Sequence, residues 1–281
     1  MTYTTLVDTE TLAQNLNSDW CLFDCRFVLT DPEEGERRYR TSHIPGAHYL
    51  HLDRDLAGPV TLQSGRHPLP VPELLAAKLA TAGVFNCSQI VGYDDADGAF
   101  AARLWWLLRW LGHQKVAVLD GGITQWLKEN RPVTQDLPAA LPSGDFQQRP
   151  DNALWVNSEA VRRQSTEHPG RLLDARASSR FRGEEESIDA VAGHVPGAVN
   201  LPFTGNVSEN GCFKSSGVLR QRFEAALEGG SPAETVCICG SGVTACHNLL
   251  AMEVAGMQGG RLYAGSWSEW IRDPSRPVER E

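Results

Sequence analysis

The sequence predicts an α/β protein made of two copies of one fold, each a parallel sheet flanked by helices. The first observation behind this prediction is a duplication: an Asp-x-Arg motif occurs at 24–26 and 174–176, and a His-[Ile/Val]-Pro-Gly-Ala motif at 43–47 and 194–198. The offsets, 150 and 151 residues, are nearly equal. Repeated landmarks in the same order indicate internal repetition of a structural unit.

The second observation is the alternation of short apolar runs with stretches of helical spacing. In the first copy, strands are predicted at 20–25, 90–93 and 116–119, and helices at 72–82 and 100–111, with Gly83 and Gly112 as helix ends. Strands that alternate with helices form a parallel sheet covered on both faces. In such folds ligands bind beyond the carboxyl ends of the strands.

The third observation is a change of composition between the copies. Residues 132–150 carry four prolines among small and polar residues, which is typical of a linker. The predicted organisation is therefore an N-terminal domain at 1–131, a linker at 132–150 and a C-terminal domain at 151–281.

Composition excludes several classes of function. A formal net charge of −9 argues against a nucleic-acid partner. The sequence contains no run of 18 apolar residues that would predict a membrane span. The N-terminus lacks the basic start and apolar core of a secretion signal, and seven scattered cysteines do not suggest a disulfide framework. We expect a cytoplasmic protein. The oligomeric state cannot be read from these features.

The loop that follows the apolar run at 236–238 is the most informative segment. Cys239 ends this strand, and Gly240 and Gly242 follow it, so backbone N–H groups can turn toward the sulfur. A helix predicted at 245–255, with Thr244 as its cap, directs its positive end to the same point. Both effects stabilise an anion, so Cys239 is predicted to be a nucleophile. Asp94 occupies the matching position of the first copy, which is therefore expected to be inactive.

Together, the paired motifs and the loop CGSGVTA at 239–245 resemble the tandem rhodanese-domain sulfurtransferases over essentially the whole chain. Within that family the loop is similar to that of the 3-mercaptopyruvate enzymes. The resemblance implies that Cys239 takes sulfur from 3-mercaptopyruvate as a persulfide, releases pyruvate, and passes the sulfur to a thiol or to cyanide. It implies no cofactor and no metal.

The resemblance also implies roles for side chains around Cys239. Ser241 belongs to a Ser-His-Asp relay with His43, whose carboxylate partner cannot be chosen from sequence. Because the His-x-Pro-Gly-Ala motif occurs in both copies, the alternative is that His43 braces its own turn. Arg180 is the residue that binds the substrate carboxylate, together with the loop residues Gly240, Gly242, Val243 and Thr244.

Two further arginines follow the same predicted strand. Arg176, repeated as Arg26, is predicted to form a structural ion pair with Asp174. Members of the family carry a second substrate-binding arginine further along the chain, but residues 183–191 contain no basic residue. Arg182 is the candidate to replace it.

Four alternatives compete with this interpretation. Thiosulfate is the competing donor, although residues 240–244 carry none of the charge expected for a dianion. A non-enzymatic persulfide carrier or sensor would use the same cysteine. A cysteine phosphatase needs an arginine where Ala245 stands. A zinc site could use the four residues Cys237, Cys239, Cys246 and His247, but their spacing is not a familiar zinc pattern.

Overall fold

The computed structural model describes residues 2–16, 18–139 and 142–281, and the chain divides into two compact units. Unit 1 contains Met1–Gly58, Leu69–Asp151 and Ser208–Phe213. Unit 2 contains Pro59–Pro68, Asn152–Val207 and Lys214–Glu281. The predicted domains differ from these units because residues 59–68 group with unit 2 and residues 208–213 with unit 1. Sequence position alone cannot reveal such an exchange.

Unit 1 alternates strands and helices as predicted. Its elements are β1 (Leu6–Val7), α1 (Thr9–Gln14), β2 (Cys21–Asp24), α2 (Glu34–Thr41), β3 (His48–Tyr49), α3 (Pro72–Thr81), β4 (Ile90–Tyr93), α4 (Ala101–Trp110), β5 (Val116–Leu119) and α5 (Gly122–Lys128). Gly83 and Gly112, which follow α3 and α4, have φ of +78° and +87°. These left-handed conformations favour glycine and end the helices where the sequence predicted.

Unit 2 repeats this order. Its elements are β6 (Trp155–Val156), α6 (Ser158–Glu167), β7 (Leu172–Asp174), α7 (Ser178–Arg182), β8 (Ala198–Asn200), α8 (Ser216–Leu227), β9 (Val236–Ile238), α9 (Thr244–Val254), β10 (Arg261–Tyr263) and α10 (Ser266–Trp270). The predicted helix at 245–255 is thus confirmed to within one residue at each end.

Both units contain a five-stranded parallel sheet with the same strand order. The order is β1-β5-β4-β2-β3 in unit 1 and β6-β10-β9-β7-β8 in unit 2. In unit 2 the central strand is β9, which pairs in parallel with β10 and with β7. Loops after these three strands therefore emerge side by side at one edge of the sheet, which is the usual ligand edge of such folds.

The core of unit 2 surrounds this central strand. Val236 and Ile238 pack with Trp267 and Trp270, all almost completely buried. Burial of such a side chain stabilises the fold by about 1.5–3 kcal/mol. Every residue from Ala245 to Met252 is buried, so α9 is a core helix whose N-terminus is held firmly beside the end of β9.

The Asp-x-Arg motif forms a buried ion pair in both units. Nη2 of Arg176 lies 2.7 Å from Asp174, and Nη2 of Arg26 lies 2.6 Å from Asp24. Arg176 also donates to the carbonyl oxygen of Gly193 at 2.9 Å, so it joins the end of β7 to the segment before β8. The predicted structural role of Arg176 is confirmed.

The segment predicted as a linker packs along unit 1. Residues His43 and Thr134 exchange two backbone hydrogen bonds of 2.9 Å, and Gly144 donates to the carbonyl oxygen of Ala80 at 2.8 Å. The ring of Phe146 is buried. The prolines of residues 132–150 therefore mark a chain segment that is irregular but packed. Residues 140–141 of this segment lie outside the described part.

None of the helices in the described residues combines the length and the apolar character needed to cross a membrane.

Candidate active site

Cys239 lies immediately after the central strand β9 and is buried. Its Sγ accepts backbone hydrogen bonds from Gly242 at 3.1 Å and Ser241 at 3.4 Å. Its own backbone N–H donates to Oγ of Ser266 at 3.0 Å, which fixes the start of the loop. The sulfur is thus surrounded by N–H donors, as an anion requires.

At both loop glycines, steric contacts explain why the residue has no side chain. Gly242 has φ +78°, and a methyl group built on it would lie 2.3 Å from the carbonyl oxygen of Ala264. A side chain on Gly240 would instead enter the space in front of the loop, where two arginine side chains lie. Gly242 therefore shapes the loop, whereas Gly240 keeps its front face open.

The end of the loop starts helix α9. Thr244 is the first helical residue and Val243 precedes it, with no side-chain hydrogen bond to cap the helix. The prediction that Thr244 caps the helix is therefore wrong. The N-terminus of α9 still points the positive end of its dipole toward the loop.

Ser241 contacts an imidazole that sequence analysis did not select. Nδ1 of His67 lies 2.7 Å from Oγ of Ser241, and both side chains are buried. The two residues are 174 positions apart in the chain, and both belong to unit 2. A buried hydroxyl that is hydrogen-bonded to an imidazole can move a proton.

The prediction that His43 is this imidazole is corrected. Nδ1 of His43 contacts the carbonyl oxygen of Tyr39 at 2.8 Å, and Nε2 contacts that of Asp136 at 3.2 Å. In unit 2 the matching His194 contacts the carbonyl oxygen of Phe181 in the same way. Both histidines brace the His-x-Pro-Gly-Ala turn, which was the alternative interpretation.

Arg180, on helix α7, is held by two buried carboxylates. Its Nε and Nη2 bind Glu186 at 2.9–3.2 Å, and Nη2 also binds Asp189 at 2.9 Å. Burial would raise the pKa of Glu186, but the N–H groups of Asp189 and Ile188 and the Arg180 guanidinium together lower it. The segment that lacks a second arginine thus supplies the carboxylates that orient Arg180.

Arg182, the candidate second arginine, lies on the same helix but pairs with Glu184 at 2.8 Å on the surface. The second guanidinium at the loop belongs to Arg66. A methyl group built on Gly240 would lie 2.9 Å from Nη2 of Arg66 and 3.6 Å from Nη1 of Arg180. Unit 2 thus places two arginines at the front of the loop.

Unit 1 contains a loop of the same kind with a carboxylate in it. Asp94 follows the central strand β4 and is completely buried. Its oxygens accept backbone hydrogen bonds of 2.8–2.9 Å from Ala96, Gly98, Phe100 and Ala101. Burial raises the pKa of Asp94, and these four donors oppose that rise. The first loop holds a fixed side chain where the second holds a thiol.

The remaining cysteines do not share the environment of Cys239. All seven cysteines, which lie in the described residues, are thiols rather than disulfides, and burial raises the pKa of both Cys25 and Cys237. In the residues that the structure describes, no three His, Cys, Asp or Glu side chains come together as metal ligands would. The zinc alternative at Cys237, Cys239, Cys246 and His247 therefore has no geometric support there.

Arg66 and His67 were missed because they lie on an irregular segment of the N-terminal half. The only sequence signal was local: an adjacent arginine and histidine between Gly65 and Pro68, in a stretch with no apolar periodicity. Polar residues on such a loop are candidates for a functional role. Nothing in their position predicted their neighbours in space.

Known proteins are similar to this chain over most of its length. The model of the rhodanese-like domain matches residues 8–129 and again 157–273. The chain is 50% identical over 276 residues to a protein of Pseudomonas aeruginosa named probable 3-mercaptopyruvate sulfurtransferase, covering 97% of each chain. It is 33% identical to the thiosulfate sulfurtransferase of Bos taurus, covering 96% of this chain and 92% of the other. The solved 3-mercaptopyruvate sulfurtransferase of Leishmania major superimposes with a TM-score of 0.85 at 27% identity, covering 96% of this chain and 76% of the other.

Proposed function

The chain belongs to the rhodanese family of sulfurtransferases, and we propose that its sulfur donor is 3-mercaptopyruvate and that Cys239 carries the sulfur. Small molecules serve as donor and acceptor, with a thiol or cyanide as the acceptor. The seven free cysteines fit a reducing compartment, and we place the protein in the cytoplasm.

The reaction has two half-steps. The Cys239 thiolate attacks the sulfur of mercaptopyruvate, an S–S bond forms, and the C–S bond breaks with its electron pair on carbon. The enolate of pyruvate that leaves takes up a proton to become pyruvate. The acceptor then attacks the outer sulfur of the persulfide, takes it, and returns the cysteine to its thiolate form.

The observation that carries this donor assignment is the contact between Ser241 and His67 at 2.7 Å. The enolate that leaves mercaptopyruvate needs a proton, whereas the sulfite that leaves thiosulfate is a stable anion. Ser241, two residues after the nucleophile, and His67 form a buried hydroxyl–imidazole pair that supplies that proton. The uncharged loop at 240–244 also suits a donor with one negative charge better than a dianion.

The deciding experiment compares kcat/KM of the purified protein for mercaptopyruvate and for thiosulfate. We expect a ratio well above one. A ratio below one would assign thiosulfate as the donor instead. If neither donor is turned over but Cys239 accepts sulfur from a protein persulfide, the chain is a carrier rather than an enzyme for small donors.

Loss of the imidazole should separate the two donors. We expect His67→Gln to lower kcat for mercaptopyruvate by about 10²-fold, the usual contribution of a positioned acid or base. Turnover of thiosulfate should fall much less, because its leaving group needs no proton. His43→Gln, the same substitution at the histidine of the His-x-Pro-Gly-Ala turn in unit 1, serves as the matched control. Equal losses with both donors in His67→Gln would assign His67 to the loop structure rather than to proton transfer.

Arg180 is expected to bind the donor carboxylate. Arg180→Ala should cost about 2–4 kcal/mol in kcat/KM for mercaptopyruvate, mainly through KM, because a charge-assisted contact is lost. Arg180→Lys should restore only part, since an ammonium lacks the planar fork. Arg182→Ala, on the same helix but on the surface, is the control. An unchanged KM in Arg180→Ala would remove Arg180 from the binding site.

A further inference from the structure

Arg66 lies on a segment whose backbone is fixed independently of its side chain. The N–H of Arg66 donates to Oγ of Ser268 at 3.0 Å. Gly65 packs so tightly that a methyl group on it would lie 2.4 Å from the carbonyl oxygen of Gly265. Pro59–Pro68 is thus held to unit 2 by backbone contacts, and shortening the Arg66 side chain leaves them in place.

The guanidinium of Arg66 uses only part of its donor capacity. Nη1 forms an ion pair with Asp189, while Nε is buried without a hydrogen-bond partner among the described residues. Nη2 is the atom that lies closest to the space in front of Gly240. An arginine held at one end by a carboxylate has its remaining N–H groups oriented for a ligand.

Asp189 joins the two arginines. One of its oxygens pairs with Nη1 of Arg66, and the other accepts from Nη2 of Arg180 at 2.9 Å. The hydrogen bonds of Arg180 to Glu186 and Asp189 use Nε and Nη2, and its Nη1 lies 3.6 Å from the place that a methyl group on Gly240 would occupy. Two guanidinium groups therefore converge on the same space from one bridging carboxylate.

We propose that Arg66 and Arg180 together bind the carboxylate of the donor, with Asp189 as the positioning residue that fixes their separation. The proposal rests on the proposed function and adds Arg66 as a second binding residue for the donor carboxylate. The two positive charges of Arg66 and Arg180 are balanced by the two negative charges of Glu186 and Asp189. This group of side chains therefore has no net charge, and it lies beside a cysteine that reacts as an anion. This balance favours a thiol with a single carboxylate close to its sulfur over a dianion.

The first test is kinetic and uses mercaptopyruvate. Arg66→Ala should raise KM about 10- to 100-fold with kcat little changed, and Arg66→Lys should recover part of the loss. If the side chain only anchors the segment, the neighbouring His67 is displaced and kcat falls instead. A fall in kcat at constant KM therefore overturns the proposal.

The second test measures anion binding without turnover. Iodoacetate and iodoacetamide are nearly the same size and differ in charge, and both alkylate a thiolate. In Arg66→Ala the rate of alkylation of Cys239 by iodoacetate, divided by the rate with iodoacetamide, should fall about 10-fold. Arg182→Ala should keep the ratio of the unaltered protein. If both reagents change equally, Arg66 does not bind the anion. Because this assay needs no sulfur donor, it stands even if mercaptopyruvate proves not to be the substrate.

The Asp189→Asn variant tests whether the pair of Arg66 and Asp189 acts on a bound anion or only anchors the segment that contains Arg66. This variant loses the ion pair of Arg66 but keeps both arginines, so the space before Gly240 becomes more positive. We expect the KM for thiosulfate to fall by about 10-fold, opposite in sign to Arg66→Ala. An unchanged or raised KM for thiosulfate would mean that the charge set by Asp189 does not act on a bound anion, and the proposal fails.

Discussion

Cys239→Ser is expected to abolish sulfur transfer, with a loss of about 10⁴-fold or more in turnover of either donor. The reason is chemical: a hydroxyl in the same loop is not ionised and cannot hold a sulfur as a persulfide. The fold should survive, because serine is similar in size and Oγ can accept the same N–H groups of Ser241 and Gly242.

Mass spectrometry after donor treatment checks this assignment directly. The unaltered protein should gain one sulfur on the peptide that contains Cys239, and Cys239→Ser should gain none. Cys87→Ser, at an exposed cysteine of unit 1, is the matched control and should keep full activity. Fragment ions that place the added sulfur on Cys237 or Cys246 of the same peptide would move the reactive site there.

Arg176→Met is expected to destabilise unit 2 by about 3–5 kcal/mol, the usual cost of leaving one partner of a buried ion pair alone. The carboxylate of Asp174 would remain completely buried and would keep its hydrogen bond of 3.0 Å from the backbone N–H of residue 176, but it would lose its charged partner. The variant would also lose the guanidinium that stacks over Trp267 at 4.8 Å from the ring centre.

Thermal unfolding followed by near-ultraviolet circular dichroism measures this loss. The double variant Asp174→Ala/Arg176→Met should regain part of the stability, because it removes the isolated charge. Arg182→Met, which breaks a surface pair, should leave the melting temperature unchanged. A small loss in Arg176→Met would mean that solvent reaches Asp174.

The local features of the site could be predicted from the sequence. The end of β9, the glycines around Cys239 and the start of α9 all lie within 236–254, so backbone propensities describe them. The duplication fixed the fold class, since a second copy repeats the same pattern of strands and helices. Even there, Thr244 was misassigned as a cap, because helix ends depend on backbone geometry within one residue.

The partners of the site could not be predicted in the same way. His67 reaches Ser241 across 174 residues, on a segment without regular structure. The sequence analysis assigned no role to the acidic residues Glu186 and Asp189, which bind Arg180 in the fold. Such contacts depend on the tertiary fold, and no periodicity or spacing encodes them.

The carboxylate of Asp94 permanently occupies the loop that follows the central strand of unit 1. Its two oxygens satisfy four backbone donors at once, and they are attached to the chain, so they cannot depart. A reaction cycle requires that a loop of this kind be emptied and refilled, which a permanent internal occupant prevents. The two halves of the chain thus use one backbone shape in two ways: the first holds a permanent occupant, and the second holds a buried thiol at the matching position.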